Sequence, residues 1–230
     1  MGNPFANIQL PKVVYSAESQ YNGLIEVLEK GEDRYLVVNK VHQSVSHNSP
    51  PAKRRYWGRV VEILQKTEPN LKNILILGLG GGTLSHLIHN AFPNVTITSV
   101  DIDPVMIDIA LKYFDVGEIP NHYIISADAC RVVVEPTIYG LNKSMFQAII
   151  VDIYLGEEFP DLGDSGNFLS ALKSLVIPGG LILINRIYTK NHQYDVDNFI
   201  ELLELYLKDI KTETIAGYTN SDNIIIYGRT

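Results

Sequence analysis

The chain has 230 residues, 46% hydrophobic and 20% charged, so it can form one full domain with a small appendage and predicts neither disorder nor a fibrous repeat. Its net charge of −7 at pH 7 argues against a nucleic-acid partner held through phosphate contacts. Cys130 is the only cysteine, residues 1–11 lack the pattern of a signal peptide, and no apolar run approaches the roughly 18 residues of a membrane span, so we expect a cytoplasmic protein without a disulfide.

Residues 1–50 predict a small β-hairpin region. Two short apolar runs, Leu24–Leu28 and Tyr35–Val38, are separated by the polar turn Lys30–Asp33. Such runs on either side of a turn are typical of paired strands. The prolines Pro50 and Pro51 end the pattern, and we expect a second domain from there to residue 230.

Strands and helices alternate along residues 51–230. A linking helix is predicted over Ala52–Gln65, where apolar residues recur at helical spacing. The predicted strands are Asn73–Leu77, Val95–Val100, Tyr123–Ser126, Gln147–Val151 and Leu181–Asn185. The predicted helices between them are Thr83–Ala91 and Pro104–Tyr113. A last helix, Phe199–Leu207, and an edge strand, Asn223–Tyr227, are predicted at the end of the chain. Because the strands are almost continuously apolar, both of their faces should be buried, as in a parallel sheet flanked by helices. The expected fold class is therefore a doubly wound α/β domain.

A glycine-rich segment, Gly78-Leu79-Gly80-Gly81-Gly82, joins a predicted strand to a predicted helix. Glycines in that context permit a tight turn and let the backbone approach a ligand. Asp101 ends the next strand, about 20 positions further on, where an acid commonly binds the ribose hydroxyls of a nucleotide. Gly78, Gly80, Gly82 and Asp101 are therefore candidate residues of a nucleoside site.

Structural roles compete with this interpretation. The loop could be a purely structural turn, and Asp103 can cap the helix that Pro104 begins, which is why we assign the ribose to Asp101. No Gly-Lys-Ser/Thr follows, so the segment is not a P-loop, whereas NAD stays open as a ligand.

Short motifs on both sides of the glycine loop carry a further signal. They are Gln20-Tyr21-Asn22, the run Arg34–Asn39, Val41-His42-Gln43, Ala127-Asp128-Ala129 and the run Ile149–Tyr154. With the glycine loop, they resemble the spermidine synthase family and its shorter spermidine-synthase-like branch. The resemblance extends from Tyr21 to about Asn185 and implies a Rossmann-like, mostly parallel sheet of the class I methyltransferase type.

The resemblance also implies a set of site residues. They are Asp152 as the catalytic group, Gly78, Gly80, Gly82, Asp101, Asp128 and Gln43 around the nucleoside, and Tyr56 and Tyr154 facing the substrate. In this pattern Asp101 holds the ribose and Asp128 meets the adenine amino group. Asp128 could instead only cap the helix that follows, and that alternative stays open.

The implied reaction is the transfer of an aminopropyl group from decarboxylated S-adenosylmethionine to an amine. An amine has a pKa of roughly 10, so it must lose a proton before it attacks, and Asp152 would be the general base. The alternatives are that Asp152 only orients its surroundings in a methyltransferase that uses intact S-adenosylmethionine, or that the chain is a non-catalytic nucleoside-binding protein. We expect a small amine or other small acceptor, no metal, no nucleic acid and no membrane; the resemblance also implies a homodimer.

Several residues depart from the family pattern. Leu155 stands where a second aspartate usually binds the amine, and the glycine loop is one residue shorter and lacks its aspartate. Substitute acids could come from Glu157, Glu158, Asp161 and Asp164, or these could form a solvated surface. We expect His86 and His89 to be surface histidines, and Lys53, Arg54, Arg55 and Arg59 to form a solvated helix face.

Overall fold

Two sheets organise the part of the chain that the computed structural model describes, residues 10–154, 166–188, 193–216 and 222–230. The first is antiparallel, with its strands in sequence order: β1 (Lys12–Ser19), β2 (Gly23–Lys30), β3 (Asp33–Val38) and β4 (Val41–Val45). The side chains of Ile25, Val27 and Leu36 are fully buried in a core shared with the second sheet. The hairpin predicted from the apolar runs corresponds to β2 and β3, while β1 and β4 add a strand on each side.

The helix predicted over residues 52–65 is divided into α1 (Pro50–Arg54) and α2 (Tyr56–Thr67). Arg55 lies between them with an extended backbone, φ −90° and ψ −173°. The two helices approach closely because residue 58 is glycine: a Cβ there would lie 2.0 Å from the carbonyl oxygen of Lys53. The break makes Tyr56 the first residue of α2.

The second sheet contains the remaining strands of the described chain. Its elements are β5 (Asn73–Leu77), α3 (Thr83–Ala91), β6 (Thr96–Asp101), α4 (Pro104–Tyr113), β7 (His122–Ser126), α5 (Ala129–Val134), β8 (Phe146–Val151), α6 (Gly166–Leu175), β9 (Val176–Tyr188), α7 (Gln193–Leu203), β10 (Lys208–Ile215) and β11 (Asp222–Arg229), with short 3-10 helices at Val116–Glu118 and Pro136–Tyr139. The strand order is β10-β11-β9-β8-β5-β6-β7. Strands β5 to β9 are parallel, β11 pairs antiparallel with β9, and β10 pairs antiparallel with β11; this mostly parallel sheet confirms the predicted fold class.

Helices cover both faces of this sheet. Along β5, Ile74 and Ile76 belong to the core that includes α2, α3, α4 and the first sheet, whereas Leu75 and Leu77 belong to the core on the side of α5, α6 and α7. Because successive side chains of a strand point to opposite faces, a central strand covered on both sides must be apolar throughout. No helix among the described residues is long and apolar enough to span a membrane.

The carboxyl-terminal strands differ from the prediction in one respect. The expected edge strand, Asn223–Tyr227, lies within β11, which pairs with β9 on one side and β10 on the other, so the edge position was wrong. The edge strand is β10. Its residues are mostly polar and exposed, with a few half-buried ones between them, so it lacks the apolar run by which the other strands were predicted. The last helix begins and ends earlier than predicted, at Gln193 and Leu203.

The strand order creates a crevice. Strand β5 lies between β6 and β8, and the order of the strands reverses at this position. The chain that leaves the carboxyl end of β5 and the chain that leaves the carboxyl end of β8 therefore turn to opposite sides of the sheet. Ligands of open α/β sheets bind at this kind of switch point.

Candidate functional site

A cavity of about 700 Å³ opens at the carboxyl ends of the parallel strands and is closed on one side by the first sheet and the α1–α2 junction. Its size is within the range of small-molecule sites. The sequence-predicted residues that line it are Gln43, Tyr56, Gly78, Gly80, Asp101, Asp128, Asp152 and Tyr154. Gly82, which is also among the described residues, does not line it.

The glycine loop fits its surroundings because four of its five residues are glycines. Gly78 has φ +101°, and a Cβ there would lie 2.0 Å from the carbonyl oxygen of Asp152. Gly81 donates its N–H to the hydroxyl of Ser44 on β4, at 3.0 Å. At Gly82, with φ +71°, a Cβ would lie 2.3 Å from a methyl group of Val116. Gly82 therefore serves packing beneath the loop, while Gly78 brings the loop against the end of β8.

Asp101 organises the loop through its carboxylate. One oxygen accepts the backbone N–H of Leu79 at 3.0 Å and of Gly80 at 3.4 Å, and the other accepts that of Asp103 at 2.9 Å. Burial raises the pKa of Asp101, and these N–H donors oppose the rise. Asp103 caps α4 as predicted, accepting the N–H of Val105 at 2.9 Å.

Asp128 caps a helix and also lines the cavity. Its carboxylate caps α5 by accepting the N–H of Arg131 at 3.0 Å. A cap uses one carboxylate oxygen on one backbone donor. Capping therefore does not exclude contact with a ligand.

Asp152 lies at the centre of a hydrogen-bond network. One carboxylate oxygen accepts the hydroxyl of Tyr56 at 2.8 Å, and the other accepts the side-chain amide of Asn185 at 2.8 Å. Asn185 in turn accepts the side-chain amide of Asn223 at 3.1 Å, and its backbone carbonyl accepts the hydroxyl of Tyr154 at 3.1 Å. The network fixes the direction of the Asp152 carboxylate from two sides.

The electrostatics of this network suit a proton acceptor. Burial raises the pKa of Asp152, while the Asn185 and Tyr56 hydrogen bonds oppose the rise because they stabilise the charged form. Burial, followed by the charge of Asp152, raises the pKa of both Tyr56 and Tyr154, so both hydroxyls stay protonated donors. A carboxylate of raised pKa can attract a cation and also accept its proton.

The comparison with known protein families gives a match over most of this chain. A model of the spermine/spermidine synthase domain matches residues 54–228. The chain belongs to this family. The resemblance inferred from the short motifs is thereby confirmed.

Two relatives show how the family match extends. The polyamine aminopropyltransferase of Vibrio vulnificus (strain CMCP6) is 30% identical over 193 residues, which cover 81% of this chain and 63% of that enzyme. The eEF1A lysine and N-terminal methyltransferase homolog of Drosophila pseudoobscura pseudoobscura is 30% identical over 117 residues, 50% of this chain and 17% of that protein. The chain thus spans less than two thirds of the length of either relative.

Solved structures share the fold. A probable spermidine synthase from Corynebacterium glutamicum ATCC 13032 has a TM-score of 0.77 and 18% identity, covering 95% of this chain and 80% of that one. A spermidine synthase in complex with the transition state analogue AdoDATO has a TM-score of 0.73 and 17% identity, covering 95% and 72%. Human methyltransferase-like protein 13 in complex with SAH has a TM-score of 0.60 and 22% identity, covering 78% and 82%.

Some residues that line the cavity were not predicted from the sequence as site residues. Asn185 is one, although a signal was present, since a single polar residue interrupts the apolar run Leu181–Ile184 at the end of a strand. Arg54 and Arg55 are others, since both line the cavity. Arg54 is exposed, as expected for a solvated helix face, whereas Arg55 is half-buried at the break between α1 and α2. Arg59 instead pairs with Glu62 and Glu213.

Two further sequence predictions concern a histidine of α3 and the acids downstream of Asp152. His86 is buried rather than a surface residue: its ring stacks on His47 at 4.0 Å between centroids, and its Nε2 lies 2.8 Å from the carbonyl oxygen of Phe114. The substitute acids proposed from sequence, together with the residue at the position of the family's second aspartate, lie outside the described residues: Leu155, Glu157, Glu158, Asp161 and Asp164.

Proposed function

We propose that this chain binds decarboxylated S-adenosylmethionine and transfers its aminopropyl group to an amine acceptor. The observation that carries this proposal is the Asp152 carboxylate, held by Tyr56 and Asn185 in the cavity that the glycine loop also lines. It is supported by family membership and by the name of the Vibrio relative, polyamine aminopropyltransferase.

The nucleoside would occupy the part of the cavity beside the glycine loop. In this arrangement the loop backbone approaches the ligand, Asp101 binds the ribose, Asp128 meets the adenine amino group, and Gln43 borders the site from β4. The solved relatives with AdoDATO and SAH support an adenosyl ligand for this fold. Asp101 would serve the loop and the ribose together, since each carboxylate oxygen can accept more than one hydrogen bond.

The chemical step requires a neutral amine next to the sulfonium. Asp152 attracts the ammonium form and accepts a proton from it. The amine nitrogen then attacks the aminopropyl carbon that is bonded to sulfur; the new C–N bond forms as the C–S bond breaks, and the electron pair of the broken bond stays on sulfur. The products are the alkylated amine and neutral methylthioadenosine. Holding both reactants in one cavity supplies most of the acceleration.

The second candidate is methyl transfer from intact S-adenosylmethionine. It is favoured by the match to the Drosophila methyltransferase relative over half of this chain. The same loop and carboxylates would bind the nucleoside, and the two activities differ in which carbon next to sulfur is attacked.

Calorimetric titration with S-adenosylmethionine, its decarboxylated form and methylthioadenosine tests the nucleoside site. We expect binding of methylthioadenosine and of at least one sulfonium. Tight binding of none of the three would refute an adenosyl site.

Turnover of putrescine with decarboxylated S-adenosylmethionine tests the reaction. Asp152→Asn keeps the shape but cannot accept the proton, so we expect kcat to fall by about 100-fold or more. Asp108→Asn is the matched control, because Asp108 is half-exposed on α4 and pairs with Lys112 outside the cavity. Methyl transfer in place of aminopropyl transfer would support the second candidate instead.

A further inference from the structure

Two asparagines lie on the face of the second sheet that borders the cavity. Asn185 is on β9 and Asn223 is on β11, 38 residues apart in sequence, and both line the cavity. Asn223 lies opposite Ile187, and residues two apart on a strand point to the same face, so the side chains of the two asparagines are diagonal neighbours. The next residues along this face, Leu183 and Ile225, are apolar and buried. An amide in such surroundings requires hydrogen-bond partners.

The hydrogen bonds of this pair run in one direction. The side-chain nitrogen of Asn223 donates to Oδ1 of Asn185 at 3.1 Å, and Nδ2 of Asn185 donates to the carboxylate of Asp152 at 2.8 Å. An amide nitrogen only donates and an amide oxygen only accepts. The nitrogen of Asn185 therefore faces Asp152 only while its oxygen faces Asn223. Asn185 is 3% exposed, so these two partners, rather than solvent, decide how its amide is oriented.

Reversal of the Asn185 amide would change what Asp152 meets. The amide oxygen would then face the acid, where it would repel the ionised carboxylate but accept a hydrogen bond from the protonated form. The same reversal would place the nitrogens of Asn185 and Asn223 against each other, donor against donor. A buried donor without an acceptor is costly, so Asn223 opposes the reversal. The protonated form of Asp152 consequently gains no acceptor from Asn185.

We propose that Asn223 is a positioning residue, which holds the amide nitrogen of Asn185 toward Asp152 and so keeps this acid ionised until the acceptor delivers a proton. The inference rests on the proposed function, because that function assigns the proton transfer to Asp152. It extends the site to β11, the strand that follows β10 near the end of the chain.

Titration of the Asp152 carboxyl by carbon-13 NMR in the ligand-free protein tests this role without requiring turnover. The signal is identified as the one missing from Asp152→Asn. In Asn223→Leu the Asn185 amide is free to reverse and accept a bond from the protonated acid. The pKa of Asp152 should therefore rise by about 0.5–1, as expected for one hydrogen bond, and the acidic limb of kcat should move with it. In an Asn185→Leu background the same substitution should leave the pKa unchanged, because no amide is present to reverse.

Asn223→Asp is a second variant, which keeps the shape of the side chain but replaces the donor with an acceptor. It should raise the pKa of Asp152 more than Asn223→Leu does. The part of the rise that is due to the new charge persists in the Asn185→Leu background and is subtracted there. Thr214→Leu is the matched control, because Thr214 is exposed on β10 opposite Ile224 and does not line the cavity; its pKa for Asp152 should equal that of the unsubstituted protein.

The possible outcomes separate the positioning role from the reaction. An unchanged pKa of Asp152 in Asn223→Leu overturns the inference, and so does an equal rise in the presence and absence of Asn185, since Asn223 would then act without the amide. A rise that requires Asn185 supports the positioning role. If that rise is found but putrescine is not turned over, the result counts against the proposed function and leaves the effect of Asn223 on Asp152 standing.

Discussion

At the scale of single residues, the neutral donors around Asp152 set its proton affinity. Tyr56 and Asn185 each donate to one carboxylate oxygen, at 2.8 Å in both cases. They lower the pKa of Asp152 while burial raises it further than they lower it. The rate should therefore fall on the acidic side, as Asp152 takes up a proton at a pH above the usual range of an aspartate.

Asn185→Leu removes one of these donors. The charged form of Asp152 then loses a hydrogen bond, so its pKa should rise further, and the acidic limb of the kcat profile should move to higher pH. Asn223→Leu is the control, because it removes a partner of Asn185 but leaves the bond to Asp152, and its limb should move less. Profiles of kcat against pH for the three proteins decide the matter; an unmoved limb in Asn185→Leu would mean that the hydrogen bond does not tune this acid.

At the scale of elements, Gly78 joins the end of β5 to the end of β8. An added Cβ would lie 2.0 Å from the carbonyl oxygen of Asp152, so Gly78→Ala must push the two strand ends apart. Gly140 is a matched site, with φ +73° and nothing within 4 Å of an added Cβ. Gly140→Ala should cost only the backbone strain, about 1 kcal/mol of unfolding free energy.

We expect Gly78→Ala to lower the free energy of unfolding by more than Gly140→Ala does and to weaken the binding of methylthioadenosine. Gly140→Ala should bind methylthioadenosine as tightly as the unsubstituted protein. Urea unfolding measures the first effect and calorimetry the second. Equal stability of the two variants would contradict the close approach of the loop to β8.

Sequence alone predicted those elements whose own residues determine them. The run Ile74–Leu77 is predicted as a buried strand because both of its faces are apolar. Asp101 was selected because it ends the next such strand, whereas Asp152 was assigned through the resemblance to the spermidine synthase family. The break at Arg55 depends instead on close packing of Gly58 against Lys53, and the role of Asn185 depends on the pairing of β9 with β11. Residues 53 and 58 are near neighbours in sequence, but their contact follows from how two helices meet, which helical spacing does not show. The polar position of Asn185 is visible in the sequence, whereas its partner Asn223 lies 38 residues away on β11.

At the scale of the whole molecule, one buried carboxylate links the two sheets. Asp103 accepts the hydroxyl of Ser19 at 2.5 Å and the side-chain amide of Asn22 at 2.7 Å, both from the β1–β2 region, while it caps α4. Asn22 also lines the cavity. The link therefore fixes the first sheet over the site as well as stabilising the fold.

Asp103→Ala should destabilise the protein by about 2–4 kcal/mol, because it removes a helix cap and leaves the buried hydroxyl of Ser19 and the half-buried amide of Asn22 without an acceptor. Asn22→Ala leaves the cap intact and should cost about 1 kcal/mol. Since both substitutions break the same bond, the double variant should be less destabilised than the sum of the single ones. Urea unfolding of the four proteins gives this coupling free energy. Strict additivity would show that the bond between Asn22 and Asp103 does not stabilise the link, which would then depend on Ser19 and on apolar packing.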